Sequence, residues 1–212
     1  MKFLKILTLI PFCLLILSGC GNSLEKASEQ AEAAYAKFLS GDISLFDSED
    51  MKKWSLLVWT EFVLPSGGLE YTYLDLDDDG FSELLVQYAD DPCVYNGVFD
   101  YIDGKLLCRQ NDFSDGSCRD YPLNDGKMVR QYDFNGTCTY MVFRYKTDGG
   151  IEELSRLFAR EELIPEDSGE PCPYYEIDGE EADKTAFDEK LNEIITAQML
   201  DRSAWTAVEP IS

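Results

Sequence analysis

The chain has no histidine. Without an imidazole there is no base for a Ser-His-Asp or Cys-His nucleophile, and the histidine-bearing zinc hydrolases are excluded with them. Positive charge is scarce too: 18 Lys and Arg face 41 Asp and Glu, for a formal charge of −23 at pH 7. A phosphate backbone would be repelled from nearly every face of such a protein, so nucleic acid is excluded as a partner. No Cys-x-x-Cys pair occurs, which removes the usual cysteine frame for zinc or dithiol chemistry. The one long apolar stretch, Ile6 to Leu17, is too short to cross a bilayer comfortably.

That stretch has another reading. Lys2 and Lys5 precede it and Leu17-Ser18-Gly19-Cys20 closes it, the layout of a secretory signal. Leu-Ser-Gly-Cys matches the bacterial lipobox, in which small residues admit the peptidase and the cysteine receives diacylglycerol. The expectation is a signal peptide over 1–19 and lipid on Cys20, placing the chain on the extracytoplasmic face of the cell membrane. Loss of Lys2 and Lys5 with the leader makes the mature chain more acidic still.

Acidity is concentrated in Asp75-Leu76-Asp77-Asp78-Asp79-Gly80-Phe81-Ser82-Glu83, between the β-prone runs Leu69 to Leu74 and Leu84 to Tyr88. Carboxylates at i, i+2 and i+4 turn to one centre when a loop folds back on itself, and Gly80 permits the sharp turn. Asp75, Asp77, Asp79, the Phe81 carbonyl and Glu83 would form an all-oxygen shell, which suits calcium better than magnesium or zinc. The bland alternative is a solvated acidic turn. An EF-hand does not fit, because Val86 stands at the twelfth position and strand formers flank the loop. Nor does the Asp75-Leu76-Asp77 run suit a phosphatase nucleophile, since Asp79 would repel the phosphate. Asp-x-Asp-x-Asp-Gly-x-x-Glu between two strands instead resembles the calcium loops of FG-GAP and VCBS-type repeats. That resemblance implies a hairpin at 69–88 clipped by calcium. Only one copy is present, so it implies no propeller.

Helical spacing over Asn22 to Leu39 puts Leu24, Ala27, Ala31, Ala34, Tyr35, Phe38 and Leu39 on one stripe, with Asn22 or Ser23 as cap and Gly41 as stop. Asp42 to Trp59, with Phe46, Met51, Trp54, Leu57 and Val58, suggests a second short helix. Beyond the hairpin come turn signals at Asn96-Gly97, Asp103-Gly104, Asp115-Gly116, Asp125-Gly126, Asn135-Gly136, Asp148-Gly149 and Asp178-Gly179. The strand candidates are Val98 to Leu107, Met128 to Phe134, Thr137 to Tyr145 and Ile151 to Phe158. Thr137 to Phe143 is bulky on both faces and reads as a central strand. Pro165 to Pro173 reads as a loop and Tyr174 to Ile177 as a short strand. Asp183 caps a last helix bearing Phe187, Leu191, Ile194, Ile195 and Met199, and Trp205 tucks the tail against the body.

The fold class expected is α+β: an antiparallel β-meander with N-terminal and C-terminal amphipathic helices packed on it. The segments are a leader over 1–19, the lipid-bearing cysteine with its helix over 20–41, and one domain over 42–212. Cys93, Cys108, Cys118, Cys138 and Cys172 remain beside Cys20; disulfides are permitted outside the cytoplasm, and an odd count leaves a thiol over. Two bridges and one thiol allow about 15 pairings, among which spacing does not choose.

No pair of acids stands out as catalytic, so the expectation is a non-enzymatic binding or structural module stabilised by calcium. The alternative is a carboxylate-dependent glycan hydrolase, which needs one acid of raised pKa beside an ionised partner. Taken whole, the lipobox, the helix and the Asp-x-Asp-x-Asp-Gly-x-x-Glu-Leu hairpin resemble small lipoproteins of Gram-positive bacteria. The membrane is met through the N-terminal lipid, and a protein or glycan partner is left open.

Overall fold

The computed structural model describes residues 26–42, 44–46, 68–89, 95–113, 117–160 and 173–208. The leader, Cys20, Cys93, Cys172, the helix caps Asn22 and Ser23, most of the Asp42 to Trp59 segment and most of the Pro165 to Pro173 loop lie outside them. The class is α+β, mostly antiparallel sheet with two helices.

The strands divide between two sheets. In the first, the order is β11-β1-β2-β3-β4, from β1 (Leu69–Leu74), β2 (Glu83–Tyr88), β3 (Tyr95–Ile102), β4 (Lys105–Phe113) and the short β11 (Thr206–Ala207). The second runs β10-β9-β8-β7-β6-β5, from β5 (Cys118–Pro122), β6 (Met128–Phe134), β7 (Thr137–Tyr145), β8 (Ile151–Arg160), β9 (Tyr174–Ile177) and β10 (Glu180–Ala182). β7 lies inside this sheet, paired on both sides, as its two bulky faces require.

Three apolar clusters follow from strand alternation. Leu84, Val86 and Tyr88 of β2 face helix α1 (residues 26–39), where Ala31, Ala34, Tyr35 and Phe38 are buried against them. Leu85 points the other way, into a cluster with Val98, Met128, Phe143 and Tyr145 that lies between the sheets. Val129, Val142 and Leu157 face α2 (Lys184–Ile194), whose Phe187 is buried and whose Leu191 and Ile194 pack beside it. The order of layers is therefore helix, sheet, sheet, helix, and β2 is buried along its whole length.

Local chemistry explains the ends of these elements. Asp183 caps α2 by accepting from the Ala186 N–H at 2.9 Å, and Gly41, at φ 90°, ends α1. Asp103-Gly104, Asn135-Gly136 and Asp178-Gly179 have both φ angles positive, the tight-hairpin geometry such pairs favour. Trp205 packs against the cluster between the sheets.

Four details depart from the sequence reading. The strands form two sheets rather than one meander; they pack over the apolar cluster of Leu85, Val98, Met128 and Phe143, and Asn96 and Gln110 of the first both bond to Asp120 of the second. Asn96-Gly97 is therefore no turn but lies inside β3, its side chain donating to the Asp120 carbonyl at 2.7 Å. The run Val98 to Leu107 is two strands, divided at Asp103-Gly104. Of the second-helix residues only Phe46 is described; it is buried against Phe38 and Phe99 and forms a β-bridge with Leu106. Met199 lies beyond α2 and is exposed.

Candidate metal centre

The acidic loop crosses from β1 to β2 with a single apolar residue, Leu76, between its first two carboxylates. Leu76 is fully buried in the cluster between the sheets, which anchors the backbone between Asp75 and Asp77. Asp78 at φ 59° and Gly80 at φ 88° then turn the backbone over. Asp78 faces outward and pairs with Arg144. The Gly80 N–H donates to Asp75 Oδ2 at 3.1 Å, and the Asp79 N–H to Asp77 Oδ1 at 3.3 Å.

One oxygen from each of Asp75, Asp77 and Glu83 lies within 4.8 Å of the others, the only such cluster among the described residues. Glu83 is 1 % exposed, and its Oε2 accepts from the Leu76 N–H at 2.7 Å. Asp75 Oδ1 is buried and has no hydrogen-bond partner. A buried, unsatisfied carboxylate oxygen is costly unless something positive meets it. The donor set is oxygen throughout, which fits a hard divalent cation.

Of the four predicted carboxylate ligands, Asp79 lies apart from this cluster. Asp79 is exposed, and its Oδ1 accepts from the Phe81 N–H at 2.8 Å. Asp79 and Phe81 instead line a cleft of about 470 Å³ between the loop, α1 and the β3–β4 turn, together with Tyr35, Asp100 and Tyr101. Asp103 lines the same cleft; Asp100 is tied to Arg109, and Asp79 accepts from the Phe81 N–H.

Electrostatics follow from crowding. Burial pushes the Glu83 carboxyl up to about 8; the Leu76 N–H opposes the rise, while Asp77 and Asp100 add to it. Burial also raises Asp79, against the pull of the Phe81 N–H and with Asp77 and Asp75 adding. The counter-charge is Arg109, whose side chain is 3 % exposed. It donates from Nη2 to Asp77 Oδ2 at 2.7 Å and to Asp100 Oδ2 at 2.5 Å, and from Nη1 to the Lys146 carbonyl at 2.8 Å.

Sequence reasoning missed both Arg109 and Asp100. Val98 pairs with Gln110 and Phe99 with Cys108, so Arg109 is the extra residue of a β-bulge, which turns its side chain inward. The only trace of this in the sequence is a basic residue within an otherwise strand-forming run.

Of the cysteines, Cys108, Cys118 and Cys138 are described, and no disulfide joins any of these to another. Comparison of the chain with protein-family models, with curated proteins and with solved structures gave no match.

Proposed function

We propose that the chain is a lipid-anchored, extracytoplasmic binding module, non-enzymatic, whose β-framework is braced by calcium at the β1–β2 loop. The observation that carries this reading is the convergence of Asp75, Asp77 and Glu83 around a buried Asp75 oxygen that no protein group satisfies. Asp79 and the Phe81 carbonyl complete the coordination by a small turn of the exposed half of the loop. The lipid anchor rests on Lys2, Lys5 and the Leu17 to Cys20 lipobox. Terminal helices on the outer faces of the two sheets leave the cleft beside the loop as the face that a protein or glycan would meet, lined by acids and aromatics together.

Calorimetric titration of the purified protein with calcium, and separately with magnesium, tests the reading. It predicts one calcium site in the range of extracellular modules, a dissociation constant of ~10⁻⁴ to 10⁻³ M, and weaker binding of magnesium, which requires a stricter octahedron. Absence of saturable calcium heat at millimolar concentrations would remove the calcium brace.

A further inference from the structure

We infer that Arg109 is an internal stand-in for the cation: a positioning residue that holds the acidic centre together without metal and so lets the chain fold before calcium arrives. This rests on the calcium reading above and adds to it how the site is regulated.

Four carboxylates, Asp75, Asp77, Glu83 and Asp100, gather where the loop meets the ends of β2 and β3, and Arg109 is the one cation that bonds among them in the described residues. The side chains of Asp77 and Arg109 are 0 % and 3 % exposed. Such a pair is much more costly to break from one side than to keep, because the remaining charge is left buried and unmatched. One guanidinium does not balance Asp75, Asp77 and Asp100, even with Glu83 set aside, and the deficit is what a divalent ion would fill.

The geometry lets arginine and metal act together. Arg109 occupies Asp77 Oδ2, whereas Oδ1 carries only the long 3.3 Å contact from the Asp79 N–H. A cation on the loop side therefore shares the carboxylate with Arg109 and need not expel it. Arg109 also reaches the second sheet, through the Lys146 carbonyl and the Tyr145 ring, whose centroid is 5.7 Å from the guanidinium carbon. The same side chain that balances the loop thus ties it to the β7–β8 turn.

It follows that the metal-free and calcium-loaded proteins depend on Arg109 to different degrees. With calcium bound, the acids have another partner; in chelator they have none. Thermal unfolding of Arg109→Gln and Arg109→Lys beside the wild type, each in calcium and in chelator, reads this difference. Arg109→Gln should melt far below wild type in chelator and recover in calcium, so that its calcium-induced rise exceeds that of wild type. Its calcium affinity should increase on the order of tenfold, the scale of an ordinary coupling between two sites. Arg109→Lys, which restores charge without the fork, should fall between them. A purely architectural arginine would lower both melting temperatures equally, and that result would overturn the inference, as would a Gln variant that calcium fails to fold. If wild type responds to calcium and the Gln variant responds no more strongly, only the role of Arg109 falls; if wild type does not respond, the calcium reading falls first.

Discussion

The carbonyl oxygen of Asp75 lies so close to Gly126, in the β5–β6 turn, that a Cβ on the glycine would stand 2.3 Å from it. The first residue of the acidic loop is thereby seated on the second sheet, although its flanking strands belong to the first.

Gly126→Ala therefore carries two penalties. Its φ of +80° costs an L residue roughly 1–2 kcal/mol, and the added methyl must push Asp75 away. The expected outcome is a lower denaturation midpoint together with weaker calcium binding by calorimetry. A variant that loses stability while binding calcium as wild type does would show that the contact does not hold the loop.

Leu76→Ala addresses the same seat from the core. The side chain is fully buried among Leu85, Val98, Met128 and Phe143, and truncations of this kind cost about 2–5 kcal/mol. Urea unfolding measures the loss. Because Leu76 anchors the backbone between Asp75 and Asp77, calcium affinity should fall as well.

Much of this hairpin was legible beforehand. Alternating Asp75, Asp77 and Asp79, a glycine at Gly80 and strand formers on either side specify a loop between paired strands, and β1 and β2 pair accordingly. The Asp183 cap and the Asp103-Gly104, Asn135-Gly136 and Asp178-Gly179 turns are equally local, decided within four residues. What was not legible depends on distant partners. The packing of two sheets face to face depends on Leu85 and Val98 meeting Met128 and Phe143, and on Asn96 and Gln110 meeting Asp120 across the interface. The inward turn of Arg109 depends on a bulge set by its pairing with β3. Leu76, an apolar residue inside an acidic loop, shows its role only once the second sheet supplies the rest of its pocket.

On the proposed calcium reading, Glu83 should make metal binding depend on pH. Its carboxyl is raised from 4.5 to about 8 by burial, so the metal-free protein holds a proton there at neutrality. The sign for stability follows: the contribution of this group is complete below about 4.5 and is lost as pH rises through about 8. Calcium must displace that proton, so affinity should rise with pH up to about 8 and then level. Calorimetry at pH 7 in buffers of different ionisation enthalpy should show proton release, and Glu83→Gln should abolish it. Heats independent of buffer would contradict this account.

Cys138 should behave as an unreactive thiol. Burial, with the neighbouring Asp133 carboxylate adding, pushes it up to about 12 from 9.0. Alkylation at pH 8.5 should be slower by roughly a hundredfold or more in the folded protein than in urea, since the thiolate is the reactive form. Its contribution to stability is present through the neutral range and fades only as pH rises from about 9 towards 12. Labelling followed by peptide mass spectrometry checks the rate; equal rates in the two states would place the thiol outside this environment.

The most direct measurement of the calcium brace is thermal unfolding of wild type and Asp75→Asn in calcium and in chelator. Asp75 is the right position because its Oδ1 is the buried oxygen without a protein partner. At about a hundred times the dissociation constant, calcium should stabilise wild type by roughly 2.7 kcal/mol, and Asp75→Asn should lose most of that rise while melting near wild type in chelator. Equal melting temperatures for wild type in calcium and chelator would contradict the account and leave the loop an acidic turn held by Arg109 alone.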